Sequence, residues 1–253
     1  MPGIVSQSGM PPCVAADCLW ENFAERGTVA LDARQFVRSL TEWQAATLLA
    51  ETFDHADPRR ATSRAGLATA GYAAGFLTDA AAELELREAA RAWQITSRWI
   101  DSMTTQLSGR SSLFHFRLER KHASAYRGLV RADHQRLAEA GAAACAANLA
   151  LVLHDRAPDE AARLYRHAIL ARKAGLGARD LGCLVAMDNL RRLIRAAGGP
   201  QSEDANLSTE IAAAVMRDPL APLARWKNER PARMTDRRRL LAAVYLSPVL
   251  IRH

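Results

Sequence analysis

Apolar and small residues recur along this chain at helical spacing, and long alternating β-branched runs are missing. The sharpest pattern lies between residues 142 and 169. Ala142, Ala146, Leu149, Ala150 and Leu153 share one helix face, and Ala161, Leu164, Tyr165, Ala168 and Ile169 share another. Between them Pro158 suits the first turn of a helix, where its missing N–H costs nothing. Asp159 and Glu160 follow in that turn, where the helix dipole favours acids. The spacing predicts a helical hairpin. Ala150 and Ala161 let the backbones approach, and Leu149, Leu153 and Tyr165 fill the space around them.

The rest of the chain reads in the same way. Residues 1–14 are expected to be a flexible leader of Pro, Gly and Ser. Periodicity starts at Asp17 with Leu19, Trp20 and Phe23, and Gly27 closes that segment. A second helix runs from about Thr41, read as its N-cap, through Trp43, Ala46, Leu49, Ala50 and Phe53 until Asp57-Pro58 breaks it. Residues 62–104 form another hairpin. Its first arm carries Gly66, Gly71 and Gly75 among alanines, and Thr78-Asp79 caps the second. Leu86, Ala89, Ala90, Trp93, Ile100 and Met103 form the stripe of that second arm.

After a loop at Ser108–Ser112 a helix runs to roughly Ala140, with Ala125, Tyr126, Leu129, Val130 and Leu137 inward. Beyond the sharp hairpin, Cys183, Met187, Leu190 and Ile194 share a face, and Gly198-Gly199 stops the helix. Residues 198–207 read as the clearest linker, with Ser208 or Thr209 capping a short helix to Arg217. Pro219, Pro222 and Pro231 make 218–234 irregular. A last helix follows from Asp236 to Leu246, ended by Pro248. The division expected is a leader (1–14), a helical-repeat domain (15–198), and a linker with a basic C-terminal capping segment (199–253).

The hairpin resembles a tetratricopeptide (TPR) repeat in Asn148-Leu149-Ala150, Leu153, Asp159-Glu160-Ala161, Tyr165 and Ala168. It departs from that pattern in lacking a Gly before the second helix and in carrying Lys173-Ala174-Gly175 where a Pro is usual. A weaker copy follows 41 residues on, in Asp188-Asn189-Leu190 with Ile194, and there Arg191 stands where a small residue is expected. The resemblance implies an all-α fold of antiparallel helical hairpins stacked as a TPR-like solenoid. An Ala-rich helical bundle would produce the same small-residue contacts from composition alone, and both architectures stay open at this point.

By the same resemblance, the first helices of the hairpins line a groove for a peptide or helical segment of a partner protein. Its groove-facing positions would be Asn148, Leu151, His154, Asp155, Asn189, Arg192 and Arg195. Asn amides pair with peptide backbone and Arg clamps carboxylates bidentately. Merely exposed polar positions would look alike in sequence.

Composition agrees with an all-α chain. About a fifth of the 253 residues are alanine, the best helix former. The formal charge is +7, and all the basic residues except Lys121, Lys173 and Lys227 are arginine. The charge is spread along the chain, with one concentration near the C-terminus. There Arg225, Trp226 and Lys227, then Arg237, Arg238 and Arg239, form the alternative site, a nucleic-acid surface in which Trp226 stacks on a base. Glu229 and Asp236 dilute it, and a solvated capping segment explains the same residues.

No catalytic signature is found. The chain has no Gly-x-Ser-x-Gly elbow, no phosphate-binding Gly-x-x-x-x-Gly-Lys and no His-Glu-x-x-His. Gly175-Leu176-Gly177 is better read as a helix-to-helix turn than as half a dinucleotide fingerprint. His115, His122, His134, His154 and His167 are scattered, and exposure or partial burial is expected of them. Cys145 and Cys183 lie on apolar faces and are expected in the core. Cys13 and Cys18 have no second pair to complete a zinc site. No stretch approaches the length of a membrane span, and the N-terminus lacks a secretory pattern. The expectation is a cytoplasmic, non-enzymatic protein-binding chain without cofactor, metal or membrane partner. Three ionisable side chains converging in a buried cleft would reopen the enzyme reading.

Overall fold

The computed structural model describes residues 12–106, 119–215 and 236–249. Among these residues there are helices and no strand, so the chain is all-α. In order they are α1 (Pro12–Asp32), α2 (Phe36–Ala50), α3 (Pro58–Ala73), α4 (Asp79–Gln106), α5 (Glu119–Leu153), α6 (Pro158–Leu176), α7 (Leu181–Ala196), α8 (Gln201–Val215) and α9 (Asp236–Tyr245).

Local chemistry sets several boundaries. Asp57 caps α3 by accepting from the Arg59 N–H at 2.9 Å, with Pro58 in the first turn. Asp180 caps α7 through the Cys183 N–H at 2.9 Å. The Thr78 hydroxyl accepts from the Ala81 N–H at the start of α4, as the sequence suggests. Gly198, at φ +63°, ends α7 while the Gly199 N–H returns to the Ile194 carbonyl.

Several boundaries differ from the sequence reading, among them the end of α2, which stops at Ala50 and not at Asp57-Pro58. Residues 12–14 belong to α1 and not to a leader. Thr41 lies inside α2, its hydroxyl bonded back to the Val37 carbonyl. The segment around Ala140 is no boundary, because α5 runs unbroken into the sharp hairpin. Residues 201–207, read as linker, are the first half of α8. Their polar composition hides tertiary ion pairs, Glu203 with Arg166 and Asp204 with Arg191 and Arg195; further along α8, Glu210 pairs with Lys173. Glu203 and Asp204 also sit in the first turn, where the helix dipole favours acids.

Each helix packs chiefly on its neighbours in sequence, and α1 also meets α3, α3 meets α5 and α5 meets α7. The odd-numbered helices therefore touch one another in a row. The last helix breaks this order, because α9 packs on α3 and α5. Within α5, Gly128–Leu153 is long and apolar enough to cross a membrane by length and composition, contrary to the sequence expectation. Most of it is buried within the protein, against α4, α6, α9 and α3.

Indole rings lock the helices at glycines. A Cβ on Gly66 of α3 would fall 2.2 Å from the ring of Trp43, and one on Gly27 of α1 would fall 2.7 Å from it. Trp93 of α4 stands in the same relation to Gly141 of α5, at 2.4 Å. Gly27 therefore does not close its segment; it lies mid-helix because Trp43 fills its side-chain space. Its carbonyl accepts from the Ser39 hydroxyl at 2.7 Å.

Cys145 and Cys183 are buried as expected, and burial pushes each thiol up to about 12. Since the thiolate is the nucleophile, a maleimide at pH 8 is expected to leave both unmodified in the native chain and to label both in urea. Mass spectrometry reads the difference, and native labelling at either site would refute their burial. The unfolded chain gives up these protons near 9 and the folded chain near 12. The stabilisation is therefore fully present below about 9 and is lost as pH rises toward 12.

Candidate partner-binding site

The row of odd-numbered helices holds the chain's own C-terminal segment. Leu240, Ala242, Ala243 and Val244 of α9 are wholly buried, and Leu246 and Ser247 are nearly so. The residues of α9 nearest α3 are small: Ala243, whose carbonyl meets Thr62, and its neighbour Ala242 are both wholly buried. A helix end leaves its last carbonyls without in-helix donors. Here the Ser247 N–H turns to the Val244 carbonyl, so the Ala243 carbonyl lacks the amide that a continuing helix would supply.

Three helices supply donors in its place. The Thr62 hydroxyl of α3 donates to the Ala243 carbonyl at 3.0 Å, and the Thr28 hydroxyl of α1 donates to the Leu246 carbonyl at 3.1 Å. The Asn148 amide of α5 donates to the Pro248 carbonyl and, at 2.9 Å, to the Thr69 hydroxyl of α3. Thr62, Thr69 and Asn148 are all buried.

The positions singled out from sequence scatter around this seat. Asn148 does pair with peptide backbone, but the backbone is that of residue 248. Leu151 and Asn189 are buried, so neither is an exposed groove position. His154 is buried too, with Nδ1 3.3 Å from the Tyr165 hydroxyl. Asp155 is exposed. Arg192 is exposed and paired with Asp188 at 2.9 Å, one turn back. Arg195 reaches Asp204 at 2.9 Å, and with Arg191 it holds that carboxyl below the usual carboxylate range. His134 is buried, contrary to the exposure expected of it, whereas His167 is exposed.

Of the basic cluster, Arg225, Trp226 and Lys227 lie outside the described residues, as does the side chain of Arg238. Arg237 pairs with Asp133 at 2.9 Å and Arg239 is half-buried.

Sequence reasoning missed a buried ion cluster. Arg59 Nε and Nη2 donate to the two oxygens of Asp57 at 2.9 and 2.7 Å, and Nη1 donates to Asp17 of α1. The guanidinium carbon lies 3.6 Å from the centroid of Phe53 and 5.9 Å from that of Trp20. Burial works against its charge, but the hydrogen bonds and charges of Asp57 and Asp17 outweigh it and raise the Arg59 pKa. Three buried ionisable groups converge here on one another. The two carboxylates are turned on the guanidinium, and the cluster ties α1 to the start of α3. Asp57-Pro58-Arg59 was the only local signal, and it was read as a helix break.

Arg172 and Asp180 form a second buried pair, at 2.5 and 3.0 Å. Among the described residues no three His, Cys, Asp or Glu side chains are grouped to hold a metal ion.

Comparison with family models, curated proteins and solved structures finds no match to this chain. The reading of its function rests on its own geometry.

Proposed function

We propose that this chain is a protein–protein interaction module, not an enzyme, which takes a peptide or helical segment of a partner along a groove of a TPR-like stack. One observation supports the reading most directly. The Asn148 amide, on the face expected to meet a partner's backbone, donates to a backbone carbonyl of a segment seated on α3 and α5. The mutual contacts of α1, α3, α5 and α7 are those expected of first helices in successive hairpins. Arg192 and Arg195, exposed on α7, would extend the groove as carboxylate clamps once released from Asp188 and Asp204.

Capture on the purified full chain, set beside an Arg192→Glu/Arg195→Glu variant, tests this. A defined protein held by the wild type and lost by the variant supports the groove. Recovery of nucleic acid alone would overturn it in favour of the basic cluster.

A further inference from the structure

Resting on that reading, we propose that residues 236–249 are a resident ligand of a seat built by α1, α3 and α5, and that the partner this seat fits is a helix of the same kind: small and apolar along its last turn, recognised by its terminal backbone carbonyls. Thr28, Thr62 and Asn148 come from three different helices and reach three carbonyls, that of Ala243 in the last turn of α9 and those of Leu246 and Pro248 just beyond it. None of these bonds reads a side chain. What the seat demands of an occupant is a helix end and room for close approach, met here by Ala242 and Ala243.

The donors are also arranged to survive an exchange of occupant. The Thr62 hydroxyl has a second acceptor in its own helix, the Pro58 carbonyl at 3.1 Å, and Thr28 has the Ala24 carbonyl at 2.9 Å. One N–H of Asn148 is held by Thr69 whatever fills the seat. Departure of the segment therefore leaves the two hydroxyls bonded within their own helices, avoiding the cost of orphaned buried donors. Residues 216–235 stand between α8 and α9, and α9 packs on α3 and α5 while α8 packs on α7. The segment is thus covalently joined to the chain whose seat it fills, and it competes there with any free occupant.

The test uses the full chain with a protease site inserted between residues 216 and 235. The native protein is cut and then challenged with a fluorescent peptide of residues 236–253. The labelled peptide is expected to replace the cut fragment while circular dichroism of the remainder holds. The uncut chain should take up about a hundredfold less, because the tether competes. Thr62→Val in the cut chain, which keeps the shape and removes the donor, should weaken the peptide roughly tenfold. A peptide carrying Ala243→Arg should not enter.

A fragment that never exchanges, or a cut chain that unfolds when the fragment leaves, would make α9 an integral part of the core and overturn the proposal. A separate arm adds excess peptide to the captured partner complex. Peptide that exchanges without displacing the partner would sink the groove reading of function and leave the resident ligand standing.

Discussion

Arg59→Met is expected to lower the unfolding free energy by about 3–5 kcal/mol, the range for removing one partner of a buried ion pair. The substitution keeps much of the side-chain volume, so the loss is electrostatic in origin. Asp57 and Asp17 are nearly wholly buried, and the guanidinium supplies three of the hydrogen bonds they accept. Without it two carboxylates face each other and the rings of Phe53 and Trp20. Arg59→Lys should recover little, since one ammonium cannot reproduce the bidentate fork on Asp57 while also reaching Asp17. Arg59→Met combined with Asp17→Asn should recover part of the loss, because one of the two stranded charges is gone. Urea unfolding of the four proteins gives the order directly. A loss under about 1 kcal/mol for Arg59→Met would place the cluster with solvent-exposed pairs and contradict its burial.

What the sequence made legible was periodic and local. The stripes on α4, α6, α7 and the second half of α5 are legible because each lies on one helix and repeats every turn; earlier in α5 the reading fails, since Leu129, expected inward, is exposed, and the side chains of Ala125 and Tyr126 lie outside the described residues. Thr78 and Gly198 mark ends because their conformational preferences act within a few residues, whereas Pro58, expected to break a helix, begins α3. The failures have a common cause, which is that the deciding partner lies far along the chain. Gly27 looked like a terminator because nothing nearby says that Trp43 fills its place. Residues 201–207 looked like linker because their acids pair with Arg166, Arg191 and Arg195 on other helices. Arg59 finds Asp17 across the whole of α2 and the turns on either side of it.

The seat was half legible. The sequence indicates an amide at residue 148 suited to a partner's backbone; in the structure that amide meets the chain's own residue 248. Asn189 and Leu151 were placed in a groove because helical spacing gives a face and not the depth at which that face is buried.

Gly66→Ala is expected to change sign with its background, and this tests how the first three helices are held together. In a free helix the substitution would gain up to about 1 kcal/mol from propensity. Here the new methyl would lie 2.2–2.4 Å from three ring atoms of Trp43, closer than any real contact. The indole cannot retreat, since it is wholly buried and α1 crowds its other edge at Gly27. One helix has to move, and overpacking of that kind costs about 1–3 kcal/mol or more.

Trp43→Ala alone should cost about 3–5 kcal/mol, because it deletes the ring that fills both glycine notches. In that background Gly66→Ala meets no ring, so it should gain its propensity and fill part of the cavity. The double variant should then be more stable than Trp43→Ala, although each single variant is less stable than the wild type. A thermodynamic cycle of the four proteins measures the reversal as a coupling energy between positions 43 and 66. Gly66→Ala that stabilises the wild type would show that the indole does not occupy the notch. The close approach of α2 to α3 would then need another cause.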